Sequence, residues 1–253
     1  MKLLPACFLF AALTLPASAA TPRQLYVAGK YIDAEAAALA EGGAAGYALA
    51  ARSALAAETM RAEPCMPCLQ HAEALALLAI EANPRLAEGH IEYVVALGYQ
   101  ARLMGVLEAR LKGFAEKAKD HIDAAIAADP RNAWAWAALG GWNIEISGDA
   151  GSTLARWLYG ASLRAGLDDF AKAFASAPDN LAVRYQYALA LGAYNRDAYR
   201  SVIADALSRA ASGAPQSAYE SHVRDSARAL LSALKAGDVQ DFDRLVRHDQ
   251  GYR

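Results

Sequence analysis

Cys65 and Cys68 form a C-x-x-C motif, the spacing in this sequence most typical of thiol chemistry. At the start of a helix such a pair can exchange disulfides, because the helix N-terminus lowers the pKa of the first thiol. The sequence shows no strand–helix–strand pattern around the motif, and cysteines of exported proteins pair by default. We therefore interpret the pair as a structural disulfide that closes a turn between two helices, with redox exchange as the alternative.

Metal and cofactor chemistry finds less support in the sequence. Covalent haem needs histidine directly after the second cysteine, where this chain has Leu69. A zinc site would need two further ligands, and only His71 lies at a helical spacing from Cys68. The remaining histidines have no serine or cysteine partner at a recognisable spacing: His90, His121, His222 and His248. The sequence therefore predicts a protein with no cofactor and no metal that is not an enzyme.

Aromatic and acidic residues form the second candidate site, one suited to binding. At about 100° per residue, Trp134, Trp142 and Glu145 share one side of a helix, away from Trp136. The corresponding positions of the neighbouring units are Glu88, Ile91, Tyr99, Tyr185 and Leu189. Aromatic residues in a groove are good contacts for a peptide or an apolar ligand, and the carboxylates would lie at its rim. The alternative is that both tryptophans pack beneath residues 147–166.

These residues lie within a pattern that recurs three times: an alanine-rich helix, a proline turn and a second helix. The turn prolines Pro84, Pro130 and Pro178 are 46 and 48 residues apart. Self-similarity at such a long period is typical of stacked helical hairpins, whose extended surfaces bind other molecules. The sequence therefore predicts an all-α fold, an α-solenoid of antiparallel helical hairpins whose concave face carries the candidate site.

The spacing within a unit is clearest around Pro130. The pattern consists of Ala118, Ile122 and Ala125 before the proline and Trp136, Leu139 and Gly140 after it. Small residues let the two helices approach closely, the large apolar residues fill the space beside them, and the proline fixes the turn. This spacing resembles that of tetratricopeptide repeats, over about residues 69–195.

A more specific resemblance covers residues 117–180. The ordered elements KDHIDAAIAADP, ALGGW, ARWLYG and LDDFAKAFASAP resemble the regulator of microtubule dynamics family. That resemblance implies a tetratricopeptide-like fold with an irregular insertion, here residues 147–166, which carries a short aromatic–glycine element. A role on microtubules is not carried over, because the N-terminus predicts export from a bacterial cytoplasm.

The first twenty residues have the three regions of a secretory signal peptide. Lys2 is followed by an apolar run over residues 3–15, and Ala17-Ser18-Ala19 forms a cleavage pattern. We expect cleavage after Ala19 or Ala20 and a periplasmic or secreted protein. Without Lys2 the formal charge changes from −2 to −3, so no basic excess indicates nucleic acid. No later apolar stretch predicts a membrane span in the mature chain.

The predicted organisation is one helical domain over residues 21–253. The expected helices include a single one over 21–40, a glycine-rich break at 41–46, and C-terminal helices over 197–253. The last of these, 238–248, is polar enough to cap the solenoid with a face in water.

The function that follows is non-catalytic protein–protein interaction or complex assembly in the periplasm, with an unidentified protein or peptide partner. The alternative is a transporter-associated protein that binds a small apolar ligand in the same groove.

The double variant Cys65→Ser, Cys68→Ser should fold and remain helical. Only two residues separate the cysteines, so the disulfide contributes less than the roughly 3 kcal/mol expected for a 15-residue loop. At about 2–4 °C per kcal/mol, the melting temperature should fall by only a few degrees. Circular dichroism during thermal unfolding measures this shift, and an unfolded variant would show that the disulfide is required for the fold.

Overall fold

The computed structural model describes residues 20–252, which form fourteen helices. The predicted signal peptide, except Ala20, therefore lies outside the described residues. The helices are α1 (Pro22–Val27), α2 (Tyr31–Glu41), α3 (Gly43–Thr59), α4 (Met66–Ala82), α5 (Ala87–Met104), α6 (Val106–Leu111), α7 (Phe114–Ala128), α8 (Ala133–Asp149), α9 (Ser152–Tyr159), α10 (Leu163–Ser176), α11 (Leu181–Asn195), α12 (Arg200–Ser212), α13 (Ala218–Ala236) and α14 (Val239–Asp249). Within 20–252 there is no strand, which confirms the all-α prediction.

The helices stack in chain order as a solenoid. α3 packs on α4, α5 on α7, α8 on α10 and α11 on α12, and these antiparallel hairpins follow one another. One helix of each unit also contacts the corresponding helix of the next, so that α3, α5, α8, α11 and α13 form a continuous row. This row is the inner wall of the solenoid, and we call its members the inner helices.

The three proline turns lie where the repeat predicts them, between α4 and α5, α7 and α8, and α10 and α11. After the second and third turns, the side chains of Asn132 and Asn180 cap α8 and α11. Each asparagine accepts hydrogen bonds from two backbone N–H groups of the first turn, which have no partner within the helix. Both helix starts are therefore fixed by local sequence.

Small residues set the distance between helices. A Cβ atom on Gly140 of α8 would lie 2.6 Å from the Phe170 ring, and one on Gly166 of α10 would lie 2.6 Å from Ile144. The backbones of α8 and α10 are thus too close for any side chain at either glycine. This explains why Gly166, twelve residues before Pro178, stands where the unit around Pro130 has Ala118.

The two ends of the solenoid meet. α1 contacts α13, and the chain passes so closely that a Cβ on Gly29 would lie 2.8 Å from the Cβ of Ala218. Gly29 has a φ of +78°, a conformation that favours glycine, and it separates α1 from α2. The prediction of a single helix over residues 21–40 is therefore wrong, because the chain turns at this point to reach α13.

Two other predicted interruptions are more helical than expected. The break at 41–46 reduces to Gly42, since α3 begins at Gly43. Residues 147–166 interrupt the hairpin pattern as the insertion predicts, but they hold the end of α8, all of α9 and the start of α10. The insertion is thus a helical element placed between two units.

The last helix has one side in water and one side on the inner wall. Phe242 and Val246 of α14 are buried, and they pack where Gly192 of α11 leaves room, 3.2–3.3 Å from the Cβ position of that glycine. These two apolar residues, four apart, form a narrow stripe that docks on the inner wall, while the opposite side of α14 is exposed as expected for a terminal helix. Among residues 20–252, no helix combines the length and apolar character needed to cross a membrane.

The neighbouring glycines of α8 provide a test of this packing. Gly140→Ala should destabilise the fold, because overpacking of about 1–3 kcal/mol outweighs the gain in helix propensity of about 1 kcal/mol. Gly141→Ala is the matched control, since nothing lies within 4 Å of its Cβ position, and it should be neutral or stabilising. Urea unfolding of both variants measures the difference, and equal effects would contradict the close contact.

Candidate functional site

A cavity of about 940 Å³ runs along the inner helices, and we call it the inner groove. Residues of α1, α3, α5, α8, α11, α13 and α14 line it. Because α1 meets α13, the groove is closed along one side by the two ends of the chain. Its volume lies in the range of sites that bind small molecules or short peptide segments.

Five of the eight predicted binding residues line the inner groove: Ile91, Tyr99, Trp134, Trp142 and Glu145. Tyr185 lines a second cavity of about 890 Å³ beside it. Glu88 is half-buried and lines neither cavity, and Leu189 is buried in the core with 1% of its surface exposed. On α11 the groove-facing positions are instead Gln186 and Ala190, one residue further along.

Trp142 combines the two roles that the sequence left open. Its indole N–H donates to the carbonyl of Ala115 in the first turn of α7, at 2.9 Å. Its ring also packs edge-on against Tyr159 of the insertion helix α9, with centroids 6.3 Å apart. Trp142 therefore fixes the insertion against the solenoid while one side of the residue lines the groove. Trp134 packs beside Ile91 and Ala125, at the other end of α8.

Two ion pairs supply fixed charges. Arg52 of α3 pairs with Glu92 of α5 at 2.7 Å, and Arg102 of α5 donates two hydrogen bonds to Glu145 of α8, at 2.7 and 3.0 Å. Burial raises the pKa of Glu92 against the opposing charge of Arg52. Burial also lowers the pKa of Arg102, but Glu145 outweighs it and the net shift is upward.

Arg52, Glu92 and Arg102 were not among the binding residues predicted from the sequence. A signal was present for two of them: Glu92 and Arg102 lie seven residues before and three residues after Tyr99, on the same stripe of α5. Arg52 had no such signal, because it comes from a different helix. The pairs link three successive inner helices, so the charges are held in place by the solenoid itself.

Half-buried tyrosines supply the remaining polar groups. Burial raises the pKa of Tyr26 and Tyr219, which line the groove at the contact of α1 with α13, and that of Tyr99 on α5. Each phenol therefore stays protonated at neutral pH and can donate a hydrogen bond. The groove thus combines aromatic faces, hydroxyl donors and paired charges.

The cysteine pair lies apart from the inner groove. Cys65 and Cys68 are bonded, with Cα atoms 5.2 Å apart, as the sequence predicts. The backbone N–H of Cys65 donates to Glu58 at 2.5 Å, which ties the turn to the end of α3. Glu58 and the two sulfurs form a group of three possible metal ligands within the described chain, but the disulfide engages both sulfurs. The disulfide therefore stabilises the turn between α3 and α4.

Two histidines that appeared scattered in the sequence meet behind α5. The Nδ1 atoms of His90 and His121 are 2.8 Å apart, and Nε2 of His90 lies 2.9 Å from the Pro84 carbonyl. Since that carbonyl can only accept, Nε2 of His90 carries a proton, and in the neutral pair His121 donates to His90. The ring of His121 also packs on Tyr93, with centroids 4.3 Å apart. The pair therefore joins α5 to α7 only in a restricted protonation state.

The helices define an all-α solenoid whose first helix meets α13 beside an internal groove. The family model of "Regulator of microtubule dynamics protein 1-3" matches residues 44–235, about three quarters of the chain. The chain belongs to this family, as the residue pattern predicted. A comparison with curated proteins gives no match.

The histidine pair predicts a pH dependence of stability. Burial and then the neighbouring His90 lower the pKa of His121 below its usual 6.5, with Asp120 opposing the shift. The unfolded chain therefore binds more protons than the folded one, and stability falls as the pH decreases from about 6.5 towards the lowered pKa. The variant His121→Gln should flatten this decline between pH 7.5 and 5.5 in urea unfolding. Parallel pH profiles for both proteins would contradict this assignment.

Proposed function

We propose that this protein is a non-catalytic interaction protein that binds a segment of a partner polypeptide in the inner groove. The observation that carries the proposal is the lining of the groove, where aromatic faces alternate with ion pairs along three successive inner helices. Such rigid, partly desolvated groups give large contact areas and orient a bound chain. The proposal does not involve microtubules.

The elongated form of the site favours a polypeptide. The second cavity continues from the inner groove, with Tyr99, Gln186 and Tyr219 lining both. Tyr99 and Tyr219 offer aromatic surface, and Gln186 offers an amide that can pair with a peptide backbone. A bound segment would therefore find apolar contacts, backbone partners and charges in succession.

A small apolar ligand is the second candidate. It is favoured by the contact of α1 with α13, which closes one side of the groove, and by the volume of about 940 Å³. In this case the protein would serve a transporter or a carrier step, and the ion pairs would orient a polar end of the ligand.

The location that we propose is the bacterial periplasm. The support is the signal-peptide pattern of residues 1–20 together with the Cys65–Cys68 disulfide, since disulfides persist in oxidising compartments. The partner would then be another exported protein or the periplasmic part of an envelope complex.

Affinity capture from the host periplasm tests the function. Trp134→Ala should lose partner capture at least tenfold, as expected for a central aromatic contact worth 2 kcal/mol or more. Trp157→Ala is the matched control, because Trp157 lies outside the groove with 79% of its surface exposed. Native mass spectrometry of the same preparations distinguishes the alternative, because a retained small ligand adds a fixed mass. Equal capture by the two variants would refute binding in the groove.

A further inference from the structure

The inner groove already contains a piece of this chain. Residues 249–252, which we call the terminal segment, are the last residue of α14 and the turn that ends this helix. Asp249 and Tyr252 line both the inner groove and the second cavity, together with Tyr99 of the inner wall. The terminal segment therefore lies where the inner groove and the second cavity meet.

The first contact of the terminal segment joins the carboxylate of Asp249 to a tyrosine hydroxyl. The phenol of Tyr185 on α11 donates a short hydrogen bond to Asp249. The other carboxylate oxygen of Asp249 lies 2.7 Å from Nδ1 of His248. Asp249 keeps only 11% of its side chain exposed, so the carboxylate is held in a desolvated position by a groove residue.

The second contact places Gly251 against the ring of Tyr99. A Cβ atom on Gly251 would lie 2.4 and 2.9 Å from ring atoms of Tyr99, so no other residue fits there. Gly251 has a φ of +84°, and the N–H groups of Gly251 and Tyr252 donate to the carbonyls of His248 and Arg247. This is the Schellman turn that commonly ends a helix, and here it directs the chain across Tyr99.

The third contact is an aromatic ring near the second ion pair. Tyr252 lines the inner groove together with Arg102 and Glu145, and the Arg247 guanidinium lies 4.8 Å from the centre of its ring. Burial raises the pKa of the Tyr252 phenol, and the Glu145 carboxylate raises it further. The ring therefore occupies the part of the groove in which the fixed charges lie.

The terminal segment continues directly from α14 and adds contacts of its own with the inner wall. Phe242 and Val246 hold α14 on α11, whereas residues 249–252 contact Tyr185 and Tyr99. The family match ends at residue 235, so the inner helices α5, α8 and α11 belong to the matched region and the terminal segment does not. Leaving the groove requires this last turn of the helix to open, with the loss of its backbone bonds to His248 and Arg247, while Phe242 and Val246 keep α14 on α11.

We propose that the terminal segment is an internal ligand of the groove, and that the partner carries the same pattern: an acidic residue, one spacer, glycine and an aromatic residue. This inference rests on the proposed function and specifies its partner. The Tyr185 hydroxyl selects the acid, the face of Tyr99 admits only glycine, and the region beside Arg102 and Glu145 takes the ring. A partner peptide binds by displacing the terminal segment.

Two glycine variants separate the effect of releasing the terminal segment from the effect of straining the backbone. Gly251→Val combines an unfavourable φ with a clash against Tyr99 and should release the segment. Gly237→Val is the matched control: Gly237 ends α13 in the same turn, at a φ of +72°, but nothing lies within 4 Å of its Cβ position. Asp249→Ala is a second release variant that removes the acid and leaves Tyr99, Tyr185 and the other inner-helix residues unchanged.

The probe is a fluorescein-labelled peptide with the sequence of residues 246–252, VRHDQGY, titrated by fluorescence anisotropy. If the segment occupies the groove in more than about nine molecules of ten, release should tighten peptide binding at least about tenfold. Both release variants should show this gain over the wild type and Gly237→Val. The peptide VRHDQVY should bind none of the proteins, since its valine meets Tyr99.

Circular dichroism checks that each variant is folded. If Gly251→Val does not fold, the result for Asp249→Ala decides whether the segment is an internal ligand. Equal binding to wild type and release variants would overturn the internal ligand, and absence of binding to folded release variants would overturn the sequence pattern. Either result leaves the proposed function standing if capture still depends on Trp134. If Trp134→Ala captures partners normally while VRHDQGY binds the release variants, the groove is an intramolecular site and the proposed function fails instead.

Discussion

The structure depends on how closely its helices approach one another. Contacts such as that of α8 with α10, where Gly140 and Gly166 face each other, allow no side chain between the backbones. Alanines at the other hairpin contacts, among them Ala76 on α4 and Ala125 on α7, are completely buried. Short distances between helices let each unit pack tightly on the next, and the accumulated rotation brings α1 against α13.

The closure changes the chemistry of the inner wall. On an open solenoid, the pairs Arg52–Glu92 and Arg102–Glu145 would be solvated surface ion pairs of little consequence. Here they line a groove that is closed along one side, together with half-buried tyrosines, where charges are less screened and their positions are fixed. The function that we propose, recognition of a polar or amphipathic segment, uses these fixed charges.

The same groove is the docking place of the last helix and the terminal segment. An α14 that buries Phe242 and Val246 on α11 covers inner wall that a simple solenoid would leave exposed. The segment that follows then competes with any partner for Tyr99 and Tyr185. The architecture thus joins a binding surface and a competitor for it in one chain, and the affinity for a partner would include the cost of displacing that competitor.

The sequence by itself determined the features that depend on neighbours along the chain. The proline turns, the disulfide, the all-α class and the side of α8 that carries Trp134, Trp142 and Glu145 all follow from helical periodicity and local chemistry. Even so, the predicted register of α11 was off by one residue, because Leu189 is buried and Ala190 faces the groove in its place. A helix turns by about 100° per residue, so a small error in register exchanges core for surface.

Only the tertiary structure decided which side chains meet across helices. Arg52 and Glu92 are 40 residues apart, His90 and His121 are 31 apart, and Tyr185 and Asp249 are 64 apart. No local pattern links these partners, because their contact depends on the crossing geometry of several helices at once. The closure of α1 on α13 and the inward course of α14 have the same origin, since both depend on the curvature summed over the whole solenoid.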